Sequence, residues 1–444
     1  MSDRTPSAAE RINALMDIHP KGYDLTLDRI ENLLEKLGSP HLDIPPVIHV
    51  AGTNGKGSTV AFTRAILEAA GLAVHVHTSP HLVAWPERYR LGRKGSPGKL
   101  VDDAVLSNAI ARVASANDGE PITVFEILSA VMFVLFNEHP ADVCLVEVGL
   151  GGRFDATNVL KDPAACVITP ISLDHEAWLG DTLGKIAFEK AGIIKRGTNV
   201  IVGPQSDEAL TVIEKQARAR RASLIAHGQQ FQAGLENGRM IYRDDTCLMD
   251  LPLPKMPGNH QIDNAATAIA ASRCFAERQG VELSEDHIAT GLTHAMWPGR
   301  MQKLVDGQIV ETLPSGSDVW LDGGHNPGAA AMIANFMGEL ATTHPRDLVM
   351  ICGMLTTKDP SGYFDPLRPL SPRVITVPLP STDAACDPEV LAEHARQCGL
   401  EATAEPSFEA ALQSLANRPP CRILISGSLY LVGDALAHNG THPS

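Results

Sequence analysis

The 444-residue chain has 44% hydrophobic and 20% charged side chains, an ordinary globular composition; its length exceeds what one core serves, so two or three domains are expected. A formal charge of −15 argues against a nucleic-acid or anionic-membrane partner, so any anionic ligand needs positive charge gathered locally. The eight cysteines are scattered without a Cys-x-x-Cys pair and read as buried free thiols in a reducing compartment, not as a disulfide framework or zinc site. The first ten residues are polar and the longest apolar run, 127–136, is about half a bilayer span, so the expectation is a soluble cytoplasmic protein with no membrane partner.

Residues 11–38 carry Ile12, Leu15, Leu27, Ile30, Leu33, Leu34 and Leu37 at helical intervals, broken by the polar stretch Lys21-Gly22-Tyr23-Asp24-Leu25. Residues 45–48 read as a short buried strand and 60–70 as a helix closed by Gly71. Between them runs His49-Val50-Ala51-Gly52-Thr53-Asn54-Gly55-Lys56-Gly57-Ser58-Thr59. A glycine-rich turn from strand to helix turns backbone N–H groups toward an anion, with Lys56 to neutralise charge and the Ser58 hydroxyl for a magnesium ion that bridges phosphates. The spacing departs from the common phosphate-loop pattern, because Gly57 separates Lys56 from Ser58. The plainer alternative is a turn that only caps a helix.

Residues 73–77 alternate as a second strand, followed by Thr78-Ser79-Pro80-His81-Leu82 and a basic segment, 87–95, that reads equally well as a solvated loop. Helices are expected over 102–116 and 124–137; the second opens at Thr123, Val124, Phe125 and Glu126 and is apolar on nearly all faces, hence buried. The strand at 143–148 is apolar except for Glu147, which stands just before the loop Gly149-Leu150-Gly151-Gly152-Arg153. A carboxylate at the end of a buried strand is costly unless paired or bound to a cation, and strand ends form the ligand crevice of open α/β sheets. Glu147 is therefore placed to reach magnesium beside Ser58; the competing reading is an acid that only anchors Arg153 or the loop backbone. The strand at 165–169 repeats the pattern, with Asp174 and His175 beyond its end.

A helix over 181–195 contains Lys190, which scores as an ordinary surface lysine. Strand-like runs at 199–202 and 222–227 precede a hairpin-like excursion over 231–257, then an alanine-rich helix over 265–277 introduced by Asn259 and Asn264. Trp297-Pro298-Gly299-Arg300-Met301 is a candidate hinge dividing the chain into residues 1–298 and 299–444. Beyond it, strands at 319–322, 348–352, 374–377 and 422–426 alternate with helices at 328–340, 388–397, 407–416 and 428–437, giving a smaller doubly wound α/β domain.

Taken together, these motifs resemble the Mur ligase superfamily and, within it, the bifunctional dihydrofolate synthase/folylpolyglutamate synthase family. The resemblance rests on Gly52-Thr53-Asn54-Gly55-Lys56-Gly57-Ser58, Ser79-Pro80-His81-Leu82, Glu147 to Arg153 and Leu173-Asp174-His175. It continues through Glu189-Lys190-Ala191-Gly192, Asn264-Ala265-Ala266, Pro298-Gly299-Arg300 and Asp322-Gly323-Gly324-His325-Asn326-Pro327. It implies an α/β fold, a P-loop ATPase domain with a mostly parallel sheet and N-terminal pterin-binding helices, followed by a smaller Rossmann-like domain. It also implies ATP-dependent ligation of L-glutamate to dihydropteroate and to the γ-carboxylate of reduced folates through an acyl phosphate. Lys56, Lys190 and His325 would be catalytic, and ATP would meet Thr53, Asn54, Gly55, Lys56, Gly57, Ser58, Asn264, Arg300 and Asp322. Two magnesium ions, with a monovalent cation as a further candidate, would fall to Ser58, Glu147, His175 and an N6-carboxylated Lys190. Asp24, Leu25, Ser79, Thr123, Phe125 and Glu126 would line the pterin site. A monomer is expected. The alternatives are a monofunctional folylpolyglutamate synthase, a cell-wall Mur ligase, whose UDP-sugar domain has little room in the 51 residues before Gly52, and a regulatory P-loop NTPase.

Overall fold

The computed structural model describes residues 5–18 and 26–443. Its largest element is an eight-stranded sheet of β1 (Val47–Ala51), β2 (Val74–His77), β3 (Tyr89–Arg93), β4 (Ser96–Leu100), β5 (Val143–Glu147), β6 (Ala165–Ile168), β7 (Asn199–Val202) and β8 (Ser223–Ala226). The order is β4-β3-β2-β5-β1-β6-β7-β8, parallel throughout except for the β3–β4 hairpin at one edge. Central strands such as β1 and β5 are buried along their whole length, as a sheet covered on both faces requires, and this explains their unbroken apolar runs. One face is covered by the helix Lys56–Ala69 with Asn259–Gln279 and Glu285–His294; the other carries Ala8–Ile18, Asp28–Lys36, Asp103–Asn117 and the almost wholly apolar Val124–Glu138.

From β1 the chain moves outward to β2, returns to β5, then crosses to β6 on the other side of β1. The carboxyl ends of β1, β5 and β6 therefore border the point where the winding reverses, the crevice in which open α/β sheets bind ligands. A three-stranded antiparallel sheet, β9 (Phe231–Glu236), β10 (Arg239–Asp244) and β11 (Leu248–Leu251), packs beside this layer. The second lobe is a six-stranded sheet of β12 (Gln302–Leu304), β13 (Asp318–Asp322), β14 (Leu348–Cys352), β15 (Arg373–Thr376), β16 (Ala402–Ala404) and β17 (Arg422–Ser426), in the order β12-β13-β17-β14-β15-β16. Leu82 and Val83 of the first lobe pack on its core, and Gly433 leaves space for the Leu82 carbonyl.

Several elements differ from the sequence reading. The helix after the phosphate loop starts at Lys56 rather than residue 60, because Gly55 takes a left-handed φ of 84° and caps it. The basic segment is not a solvated loop: β3 and β4 form an ordered hairpin, with Arg88 buried and stacked on Trp85. Helices Asp207–Ala219 and Glu285–His294 went unread, although Ser206 and Ser284 cap them in the manner that marks a helix start. All eight cysteines are free, as expected, but Cys247, Cys386 and Cys398 are only half-buried. The polar break with Asp24 and Leu25 lies outside the described residues.

The helices Glu285–His294 and Lys56–Ala69 cross tightly, so that a Cβ on Gly291 would stand 2.7 Å from the Ile66 Cα. Gly291→Ala forces these helices apart and is expected to lower stability by about 1–3 kcal/mol, read as a lower urea midpoint at unchanged slope.

Candidate active site

Each phosphate, nucleotide and metal residue singled out above reaches one cavity of about 170 Å³ at the ends of β1 and β5. Lys56 folds over its own loop, donating to the carbonyls of Gly52 (3.2 Å) and Thr53 (3.3 Å), and lies 3.9 Å from Glu147. The N–H groups of Thr53 and Asn54 both donate to the Pro170 carbonyl, which fixes the loop against the segment after β6. Gly55 and Gly57 are crowded rather than merely flexible. The Asn264 amide lies against Gly55, and a Cβ on Gly57 would sit 2.5 Å from the Trp297 ring.

Glu147 ends β5 beside Val50 of β1 and is 5% exposed. Burial pushes its carboxyl up to about 6, against the opposing charges of Lys56 and Arg300 and a hydrogen bond from the Ser79 backbone. It does not anchor Arg153, which faces Glu189 at 3.8 Å. Ser79, grouped with the pterin residues from the sequence, lies on this side of the site, and its buried Oγ has no partner among the described residues. Lys190 is no surface residue either: it is 5% exposed, with Nζ donating to the Gly52 carbonyl at 2.8 Å. Burial, reinforced by nearby Lys56, pushes its amine down to about 7.

The far wall comes from the second lobe. The carboxylate of Asp322, at the end of β13, accepts from the N–H groups of Gly324 (2.8 Å) and Met301 (2.9 Å), joining the strand to the hinge. Asn326 caps the helix Pro327–Thr343 and exchanges side-chain hydrogen bonds with Asn54. His325 places Nδ1 2.9 Å from the Gly323 carbonyl and Nε2 3.3 Å from Asp174. Burial would raise the Asp174 carboxyl, but His325, Lys358 and His175 hold it well below the usual carboxylate range. The imidazole of His175 is pushed down to about 4, chiefly by burial, with Lys358, His325 and Lys190 adding to the effect against the attraction of Asp174; its ring is neutral at neutral pH.

Thr123, Phe125 and Glu126 lie in the first lobe, where Phe125 stands against the glycine loop that follows β5. Phe125 packs against Gly149 so closely that a Cβ there would overlap its ring, while Thr123 and Glu126 form the capping box of Val124–Glu138 and Arg29 faces Glu126 at 3.2 Å. The glycine loop between them is set by a residue the sequence reading missed. Asp155 accepts from the N–H groups of Gly149 and Leu150 and from Thr157, whose hydroxyl contacts His49 inside β1. Lys358 was missed too, although it follows the carboxyl end of β14, where the strand-end argument applied to Glu147 would have found it. A second cavity, of about 670 Å³, shares Gly57, Ser79, Glu147 and Arg300 with the first and extends along the hinge past Pro80, Met256 and Trp297.

Comparison with known proteins gives this geometry a lineage. Residues 50–272 match the model for the Mur ligase middle domain, and residues 308–438 that for the dihydrofolate synthetase C-terminal domain. The dihydrofolate synthase/folylpolyglutamate synthase of Escherichia coli strain K12 is 33% identical over 440 residues, 98% of this chain and 96% of that protein. The chain belongs to the dihydrofolate synthase/folylpolyglutamate synthase family of Mur ligases. The structure of E. coli FolC in complex with DHPP and ADP is similar with a TM-score of 0.84 and 31% identity, covering 98% of each chain. That of a bifunctional folylpolyglutamate synthase/dihydrofolate synthase with Mn, AMPPNP and L-glutamate bound gives 0.83 and 30%, covering 98% of this chain and 99% of the other. Family membership makes the chain a ligase and sets aside the cell-wall and regulatory alternatives.

Because burial is what raises the Glu147 carboxyl, Glu147→Gln removes a cost that the folded protein bears above about pH 6. The variant is expected to melt at or above the temperature of the natural protein at pH 7.5 without nucleotide, yet to lose about 10²-fold or more in metal-dependent turnover. Paired thermal melts and phosphate-release rates check both parts.

Proposed function

We propose that the protein joins the amine of L-glutamate to the carboxylate of dihydropteroate and to the γ-carboxylate of reduced folates, at the expense of ATP. The observation that carries this reading is the convergence, in one cavity, of a phosphate loop with its lysine, a buried carboxylate beside unpartnered hydroxyl oxygen, and cations from a second lobe. In the ligation an acceptor carboxylate oxygen attacks the γ-phosphorus and ADP leaves. The neutral glutamate nitrogen then attacks the acyl carbon, the amide C–N bond forms, the C–O bond to phosphate breaks, and the nitrogen loses one proton and keeps the other as the amide N–H. Three anionic partners must approach one another, so catalysis is chiefly charge compensation and alignment.

Lys56 and Arg300 supply fixed positive charge; the Asn264 amide and the Asp322 carboxylate take the nucleotide at the hinge, and His325 faces the side from which the amine enters. The donor set fits magnesium: the Glu147 carboxylate and the hydroxyls of Ser58 and Ser79 are hard oxygens, too few for a closed cage, which leaves coordination for phosphate and water. A bound divalent ion would neutralise phosphate charge and polarise the γ-phosphoryl group. His175 and Lys190 serve a second ion if Lys190 is carboxylated. An amine held near 7 is substantially neutral at neutral pH, the form that adds carbon dioxide to give an N-bound carboxylate and a proton. A monovalent cation is a further candidate there. Phe125, with Thr123 and Glu126, offers the pterin a ring face behind the glycine loop, and Asp24 and Leu25 belong with them in this reading.

We place the domain boundary at 298/299 and read the enzyme as a cytoplasmic monomer; among the described residues, no helix is long and apolar enough to cross a membrane. Product analysis with dihydropteroate and with a reduced folate monoglutamate as separate acceptors tests the reading. New amide product is expected from both, whereas product from the folate alone would make the enzyme a monofunctional folylpolyglutamate synthase. Lys190→Ala is expected to lose about 10²-fold or more in turnover, with partial recovery on adding short carboxylates. A rate indifferent to the substitution would overturn the carboxylated-lysine role.

A further inference from the structure

Lys358 crosses from the second lobe to the carboxylate of Asp174, and neither the phosphate loop nor the metal assignment uses it. It follows β14 in a short fixed loop: its N–H donates to the Leu355 carbonyl at 3.1 Å, and the next residue, Asp359, caps the helix Pro360–Phe364. The side chain reaches into the cleft, where Nζ lies 2.6 Å from Asp174 Oδ1 and 3.4 Å from His175 Nε2. Both members of the ion pair are nearly buried, at 8% and 9% side-chain exposure. The other oxygen of Asp174 faces His325 at 3.3 Å and Asn326 at 3.2 Å. Both carboxylate oxygens thus have partners from the second lobe, and Oδ1 also accepts from the His175 N–H at 2.9 Å.

His175 Nε2 has a single lone pair on the ring's cavity side. An ammonium donating to it at 3.4 Å and a divalent ion coordinated by it cannot share that lone pair, and the two positive charges would repel at so short a distance. We propose that Lys358 and a divalent cation at His175 are alternative occupants of one site. Lys358 is then a positioning residue: as a built-in cation it ties the lobes together through Asp174, and ion binding at His175 displaces it. The inference rests on the assignment of His175 to a metal, made above.

Manganese binding to the full chain, followed by the electron-paramagnetic-resonance signal of free Mn2+, tests this without reference to turnover. In the absence of nucleotide, Lys358→Met keeps the length of the stem without its charge and is expected to bind Mn2+ about tenfold or more tightly than the natural protein. Lys358→Arg retains a cation and is expected to show no such gain. Adding His175→Ala to Lys358→Met is expected to abolish the gain. Equal or weaker Mn2+ affinity in Lys358→Met, a gain shared by Lys358→Arg, or a gain that survives His175→Ala overturns the proposal while leaving a metal at Glu147 untouched. If His175→Ala alone leaves Mn2+ binding unchanged both with and without ADP, the assignment of His175 to a metal fails and the proposal fails with it.

Discussion

Burial of charge at the ends of β1, β5 and β6 is the constraint on which the site depends. Glu147 and Lys190 are held there almost wholly out of water beside a sheet covered on both faces, while Lys56 next to them keeps 18% of its side chain exposed. The consequences appear as displaced acidities: the carboxyl is pushed up, the amine down, each chiefly by burial. Groups so placed are poorly satisfied by one another, since Lys56 stands 3.9 Å from Glu147 and depresses rather than supports Lys190. A phosphate chain with its ion supplies what both lack, an anion for the lysines and a cation for the carboxylate. Affinity for the ligand and discomfort of the empty site have the same origin.

The second lobe answers this arrangement across the cleft. Its contributions come from strand ends and helix starts: Asp322 closing β13, Asn326 capping a helix, Lys358 beyond β14. Asp174 is the point at which they meet the first lobe, and Asn54 is a second such point within the phosphate loop itself. Because one wall of the site belongs to each lobe, its geometry is a function of how they sit together. The apolar contact of Leu82 and Val83 with the second core, beside Gly433, supplies the non-polar part of that fit.

Much of this could be read from the residues alone. Strand ends announced themselves as apolar runs closed by a single polar group, as at Glu147 and Asp322, and the glycines of residues 52–57 marked the turn. What resisted was whatever depends on partners distant in sequence. Lys190 looked like a surface lysine because helical position says nothing of the Gly52 carbonyl 138 residues away. That Ser79 also faces the end of β5 could not be read, because a loop residue after β2 carries no sign of which strand end it will face. The hairpin at β3 and β4 was obscured by arginines that bury their stems, a behaviour composition cannot distinguish from solvation. Asp155 follows the same rule: its work lies in contacts that only the folded chain supplies.

The hairpin at β3 and β4 has one more effect. Open sheets end in rows of unpaired N–H and C=O groups that invite strands from other molecules. Here the outermost strand is Ser96–Leu100, which carries Pro97 and Lys99, the first unable to donate and the second costly to bury. The outer strands of the other large sheet, Gln302–Leu304 and Ala402–Ala404, are only three residues long. A chain whose catalysis requires two sheets to face one cleft thereby blunts three of their edges against aggregation.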